Sequence, residues 1–308
     1  MTTAVVFAYS EVGVRCLKVL IDQGVSVPLL FTHQDDANES RWFGSVADLA
    51  REHGIRTVTP DDPNTNEWVS AGQSFAPDFI FSFYYRYMLK LAWLGVPARG
   101  ALNMHGSLLP RYRGRAPVHW AILNGETQTG ASLHYMLERP DAGALVDQQA
   151  VPILPDDDAL EVSRRVADAA ALLLARALPK LIDGTAGARP LELAKGSYFG
   201  RRRPEDGRID WRKSAKGIHD LVRAVAPPFP GAFSDVAGLR VFVHKTILDE
   251  GAPEHPESAP CLYASGGRWF ADTADGRRLI IAKMQVNGRT VTPNDIPAAW
   301  PAQPIALN

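Results

Sequence analysis

The chain has 308 residues, 46% of them apolar and 22% charged, with a formal net charge of -1. That is material for about two packed domains, and the near-neutral balance offers no electrostatic footprint for a nucleic acid. Cys16 and Cys261 stand far apart with no Cys or His at ligand spacing, so neither a disulfide framework nor a zinc site is expected, and a reducing cytoplasm fits. No apolar run approaches the roughly 20 residues of a bilayer span, and the N-terminus lacks the pattern of a signal peptide.

Ala4 to Ala8 is a short continuous apolar run of the kind found in a central parallel strand. Glu11 to Gln23 reads as a helix, with Val14, Leu17, Leu20 and Ile21 on one face and Gly24 as its stop. Val27 to Phe31 follows as a second strand, which implies a right-handed crossover in a parallel sheet. The intervening turn, Tyr9-Ser10-Glu11-Val12-Gly13, lacks the glycine fingerprint of a dinucleotide site and places a bulky Tyr where a pyrophosphate needs bare backbone.

Residues 32–40 read as an exposed polar loop. Trp42 to His53 is expected to be a second helix, Ile55 to Val58 a third strand and Glu67 to Phe75 a short helix. Phe79 to Phe83 reads as the central strand. The run Tyr84-Tyr85-Arg86-Tyr87 at its end is either an aromatic lid on the core or a surface for a flat heterocycle.

Gly100-Ala101-Leu102 reads as a strand ending at Asn103. Alternation along a strand turns Asn103 and His105 to the same face, with Met104 on the other. A carboxamide is thereby set beside a group able to carry a proton near neutral pH. Arg111, Arg113 and Arg115 follow within five residues, in a position where α/β sheets bind ligands, outside the carboxyl ends of their strands. Their concentration asks for anions or solvent.

His119 to Leu123 is expected to be helical. Gly130 to Met136 alternates and reads as an antiparallel-type strand. The next loop, Leu137 to Gly143, carries Asp141 at its tip, and Leu145 to Ile153 resumes a strand. Asp156, Asp157 and Asp158 offer N-caps for a helix running to about Ile182, which Pro179 is expected to kink or end. Lys195 to Arg203 reads as a basic link. From Glu205 on, short segments punctuated by Gly and Pro suggest a small β-rich, barrel-like domain behind one helix, Ser214 to Val225. Between Glu205 and Asn308 there are 12 Lys and Arg against 12 Asp and Glu, so this domain carries no net charge. The expected division is 1–195 catalytic, 196–204 linker and 205–308 β-rich.

Asn103, His105, Ser107-Leu108-Leu109-Pro110, Arg113-Gly114 and Asp141-Ala142-Gly143 together resemble the formyltetrahydrofolate-dependent formyltransferase family. The similarity covers nearly the whole chain. The runs beginning at Phe7, Phe31, Phe81, His105, Phe199 and Arg223 are most similar to the formyltransferase half of the bifunctional polymyxin-resistance enzyme that acts on UDP-4-amino-4-deoxy-L-arabinose. Methionyl-tRNA formyltransferase shares the core motif and matches less closely. The resemblance implies an α/β, Rossmann-like formyltransferase sheet with helices on both faces, plus a small OB-like C-terminal domain.

It also implies formyl transfer from 10-formyltetrahydrofolate to the 4-amino group of a UDP-amino-sugar, in lipid A modification, with no metal, no nucleic acid and no membrane. Its catalytic residues carry over to Asn103, His105 and Asp141. Its folate contacts carry over to Tyr87, Met88, Leu89 and Arg115, and to Leu137, Glu138, Arg139, Pro140 and Asp141. A weak homo-oligomer is compatible with it. The chain ends at Asn308, where the bifunctional enzyme would continue into a dehydrogenase domain, and Phe229 stands where that subgroup tends to carry Trp. Rival readings are the tRNA-directed enzyme, another nucleotide-sugar N-formyltransferase, a hydrolase using water in place of the amine, and a catalytically silent folate-binding module.

Overall fold

The computed structural model describes residues 1–35, 41–251, 259–298, 300 and 303–307. The expected loop over 32–40 is therefore described only as far as residue 35. The chain divides into two compact units, 1–117 with 128–152 and 162–200, and 118–127 with 153–161 and 201–308.

In chain order the first elements are β1 (Thr3–Ala8), α1 (Ser10–Asp22), β2 (Ser26–Phe31), α2 (Val46–Glu52), β3 (Thr57–Val58), α3 (Asn66–Gln73), β4 (Phe79–Phe83), α4 (Leu91–Leu94), β5 (Ala101–His105) and β6 (Arg113–Gly114). They continue as α5 (Pro117–Leu123), β7 (Gln128–Tyr135), β8 (Leu145–Pro152), α6 (Ala159–Asp183) and β9 (Tyr198–Phe199). Seven strands form one mixed sheet in the order β3-β2-β1-β4-β5-β7-β8. β1 pairs in parallel with β2 and β4, and β4 with β5, whereas β5–β7 and β7–β8 are antiparallel. The order reverses between β1 and β4, the kind of switch point beside which α/β sheets place their ligands.

The continuous apolar runs of β1 and β4 are explained by burial on both faces; Phe79, Ile80, Phe81, Ser82 and Phe83 are all buried. Phe7 stacks on Phe31 at 4.4 Å, and Trp93 meets both rings edge-on at 4.9 and 5.3 Å. The Trp93 indole N–H donates to the Pro63 carbonyl at 2.8 Å, so the ring is buried without an orphaned donor. Helix α2 begins at Val46 rather than Trp42, because the Ser45 side chain accepts from the Asp48 amide and caps it there.

Pro179 neither ends nor replaces the last turn of α6, which runs on to Asp183. A proline leaves the carbonyl four residues back without its usual donor. That carbonyl is Ala175 O, and the Gln23 side-chain amide donates to it at 2.9 Å. Arg99 then supplies donors to the final carbonyls, Ile182 O at 2.6 Å and Leu181 O at 2.5 Å. The basic stretch 195–203 is also more ordered than a link, since β9 pairs in parallel with β6.

The second unit contains α7 (Ala215–Ala224), β10 (Ala232–Val236), β11 (Leu239–Asp249), β12 (Cys261–Ser265), β13 (Arg268–Asp272), β14 (Arg278–Val286), β15 (Arg289–Thr290) and β16 (Ile305–Ala306). Its antiparallel sheet runs β10-β11-β14-β13-β12-β16, with β15 on β14. Trp211, Ile218, Val222, Val243, Trp269, Leu279 and Met284 lie in its core. β11 runs unbroken from Leu239 to Asp249, although its pairing with β14 shifts register around Lys245 and breaks the period-2 pattern there. The fold is α/β, a Rossmann-like sheet with helices followed by an antiparallel β domain.

Candidate active site

Asn103 and His105 lie on β5, at the carboxyl end of the parallel part of the sheet, and project to the same side. His105 is 6% exposed. Its Nε2 lies 2.8 Å from the Tyr112 carbonyl oxygen, which can only accept, so Nε2 carries a proton. Nδ1 is then the nitrogen left free to exchange one. It faces Asp141 Oδ1 at 3.5 Å.

Asp141 sits at the tip of the β7–β8 loop with φ +50°, a left-handed conformation that Asp tolerates better than most residues. Its Oδ2 accepts the Gly114 amide at 2.8 Å, which leaves Oδ1 turned toward the imidazoles. Burial alone pushes this carboxyl up. The positive charge available on His105 and the Gly114 amide act against burial, and the carboxyl is held well below the usual carboxylate range. Asp141 is therefore ionised at neutral pH, an acceptor and not an acid.

The loop is held by close backbone packing. A Cβ at Gly143 would lie 1.9 Å from the Tyr135 carbonyl oxygen, and the Tyr135 amide donates to Ala144 O at 2.9 Å. Across the site, a Cβ at Gly106 would lie 1.7 Å from the Tyr84 hydroxyl. Only glycine fits at either position without displacing its neighbour.

A fourth residue, His134, joins the three expected ones. It lies directly opposite Asn103 in the β5–β7 register and is 1% exposed. Its Nε2 is 3.2 Å from Asn103 Nδ2 and 3.6 Å from Asp141 Oδ1. The sequence placed His134 in an alternating strand but gave no reason to set that strand against Asn103. Two alternating strands with His and Asn on their inner faces were the available signal; the antiparallel pairing that joins them was not.

The arginine loop is less exposed than its charge suggests. Arg113 is 6% exposed, and its Nε is buried with no hydrogen-bond partner. Arg115 is exposed and donates to Arg86 O at 3.3 Å. Of the aromatic run, Tyr85 stacks on His33 at 4.3 Å and Arg86 lies 4.6 Å over Tyr9, so these ring faces are engaged by the protein itself. The Arg86 amide donates to His33 Nε2 at 3.0 Å, and burial together with the Arg86 charge lowers the His33 pKa to about 4. Tyr87 and Met88 are exposed, 44% and 51%, whereas Leu89 is buried. Leu137, Glu138 and Arg139 are exposed and Pro140 half-buried. Among the described residues no group of three or more His, Cys, Asp or Glu side chains is arranged to hold a metal ion, and no helix is long and apolar enough to cross a membrane.

A carboxamide, an imidazole and an ionised carboxylate converge at a strand end, and groups of these three kinds can supply a hydrogen-bond donor, a proton carrier and an acceptor, which is what an acyl transfer needs. The family models agree with that class. Residues 6–178 match the formyl transferase model and residues 202–297 the formyl transferase C-terminal domain. The chain belongs to the formyl transferase family and is a formyltransferase.

Solved structures resemble it in fold. An N-formyltransferase from Helicobacter canadensis, in complex with folinic acid and dTDP-3-aminofucose, has a TM-score of 0.71 at 18% identity, over 91% of this chain and 99% of that one. The sugar 3N-formyltransferase WlaRD, in the presence of dTDP and 5-N-formyl-THF, also scores 0.71 at 18% identity, over 94% and 99%. HypX from Aquifex aeolicus, in complex with tetrahydrofolic acid, scores 0.62 at 20% identity, over 97% of this chain and 46% of that one.

Proposed function

We propose that this protein transfers the formyl group of 10-formyltetrahydrofolate to a primary amine on a nucleotide-linked sugar. The observation that carries the reading is the convergence of Asn103, His105 and Asp141, drawn from a strand and a distant loop. Further support comes from the folate and dTDP ligands held by two structures of the same fold, and from Arg113, whose buried Nε has no hydrogen-bond partner and suits the anionic diphosphate of a nucleotide.

In the reaction, the neutral amine attacks the formyl carbon. The carbonyl oxygen becomes an oxyanion and receives an N–H from Asn103, a contact of the kind worth about 3 kcal/mol in other acyl transfers. The bond from carbon to folate N10 then breaks. N10 takes up a proton as it leaves, and the new amide nitrogen gives one up. His105 Nδ1 is the proton carrier, with Asp141 orienting it and stabilising its charged form. The folate lies along Tyr87, Met88 and Leu89, at Arg115, and along Leu137 to Asp141.

The sequence motifs favour UDP-4-amino-4-deoxy-L-arabinose as the acceptor, and with it a place in lipid A modification and polymyxin resistance, in the cytoplasm. The test is turnover with 10-formyltetrahydrofolate and, in parallel, UDP-4-amino-4-deoxy-L-arabinose, a dTDP-amino-sugar and initiator methionyl-tRNA, each product weighed by mass spectrometry. Formylation of the UDP sugar with the highest kcat/KM is expected. Preferential formylation of the tRNA, or formate release without any acceptor, would overturn the reading.

A further inference from the structure

We propose that His134 is a positioning residue that fixes which way round the Asn103 carboxamide stands. The inference rests on Asn103 serving as the oxyanion donor. An asparagine amide can be turned end for end with little change in shape, yet the two orientations do opposite things: one offers N–H to a developing negative oxygen, the other offers a repelling oxygen. Something beside Asn103 has to choose between them.

The hydrogen bonds around His134 make that choice. His134 Nδ1 lies 2.8 Å from the Tyr135 carbonyl oxygen, which only accepts, so Nδ1 carries the ring proton. Nε2 of the neutral ring is then a lone pair. The group 3.2 Å from it is Asn103 Nδ2, which must donate. One Asn103 N–H is thereby held by His134, the second remains for substrate, and Oδ1 is excluded from the Nε2 side. The turned amide would set oxygen against a lone pair.

The device is built into the sheet. Asn103 and His134 are directly opposed across β5 and β7, His134 is 1% exposed, and Tyr135 is its own neighbour in the chain. Asp141 Oδ1 lies 3.6 Å from the same Nε2, and His105 faces that oxygen from β5. A proton on Nε2 would turn toward the carboxylate and oppose the Asn103 amide hydrogens, so the neutral ring is the form that holds Asn103.

His134→Phe keeps a flat buried ring and removes the acceptor; His134→Gln restores an acceptor oxygen on a flexible stem. The expected result for His134→Phe is a kcat lowered roughly 100-fold, the scale of losing an oxyanion donor, with KM for both substrates within about threefold of wild type and an unchanged Tm. His134→Gln should recover at least tenfold of that kcat. Independently of turnover, nitrogen-15 NMR of the wild-type protein should show His134 as the Nδ1–H tautomer, and the Asn103 side-chain amide resonances should move in His134→Phe. Wild-type kcat in His134→Phe, a loss explained by a fall in Tm, or an Nε2–H tautomer would each overturn the proposal. An absence of formyl transfer by the wild type would instead sink the functional reading, and the NMR result would still decide the polarity of the Asn103–His134 bond.

Discussion

His105 and Asp141 face one another at 3.5 Å, and each is fixed from behind by backbone: His105 Nε2 by the Tyr112 carbonyl, Asp141 Oδ2 by the Gly114 amide. Neither group is free to rotate away, so in the proposed reaction the pair acts as one proton-handling unit. Asn103→Ala is expected to lower kcat about 100- to 1000-fold, the loss typical of one oxyanion donor. His105→Ala and Asp141→Ala are expected to remove measurable transfer. All three should keep the wild-type circular dichroism spectrum, because each side chain lies at the rim of the sheet. Near wild-type turnover by His105→Ala would remove it from the role of proton carrier.

The same pair sets a pH dependence of stability. Asp141 has a folded pKa below its unfolded value of about 3.9. Its ionised form therefore stabilises the native state above about pH 4, and that contribution fades as pH falls toward the folded pKa. Asp141→Asn should accordingly be less stable than wild type at pH 7, with the gap narrowing as pH drops below 4. Urea unfolding at pH 7, 5, 4 and 3 measures it. A gap that widens toward acid would contradict the assignment.

The outer frame of this site could be read from the residues because its signals are local. Alternation in β5 put Asn103 and His105 on one face, and Pro140 with Gly143 marked a loop with Asp141 at its tip. What escaped were relationships between distant segments. His134 acquires its meaning from the β5–β7 register. Pro179 looked like a helix breaker because the donor that satisfies Ala175 O comes from Gln23, in another helix's cap. The stretch around Tyr198 and Phe199 looked like linker because two residues carry no period, and pairing with Arg113 and Gly114 is what makes it a strand.

Arg113 Nε is buried without a hydrogen-bond partner, a donor that an arriving anion can satisfy. Arg113→Met should raise the stability of the ligand-free protein by about 1–2 kcal/mol while raising KM for the nucleotide sugar at least tenfold. Thermal melts with and without UDP separate the two effects: the wild type should gain more from UDP than the variant does. A variant that is less stable and binds UDP as well as wild type would show that the guanidinium serves packing alone.

The Gln23 contact with Ala175 O can be weighed by a double-mutant cycle. Gln23→Ala should cost about 0.5–1 kcal/mol, the net worth of one hydrogen bond near the surface. In a Pro179→Ala background the restored amide at position 179 reaches Ala175 O, and the cost of Gln23→Ala should fall close to zero. Equal costs in both backgrounds would mean that the side chain does not replace the missing donor.

Gly143 ties the backbone of the Asp141 loop to the strand it leaves. Its φ is ordinary, so the constraint there is space rather than conformation: an added methyl would sit 1.9 Å from Tyr135 O, a backbone atom with no rotamer to give way. Gly143→Ala must therefore shift either the loop or the end of β7, and Asp141 Oδ1 moves with the loop. A displacement of about 1 Å at a reacting group is enough to cost around 100-fold in rate. The expected outcome is a kcat lowered by that order and a Tm lowered by a few degrees, since the Tyr135–Ala144 hydrogen bond is strained too. Gly187→Ala, at a position where an added methyl meets nothing within 4 Å, is the control and should leave kcat unchanged. Equal activity in the two variants would show that the loop adjusts without moving Asp141, and that its position is set by the Gly114 amide alone.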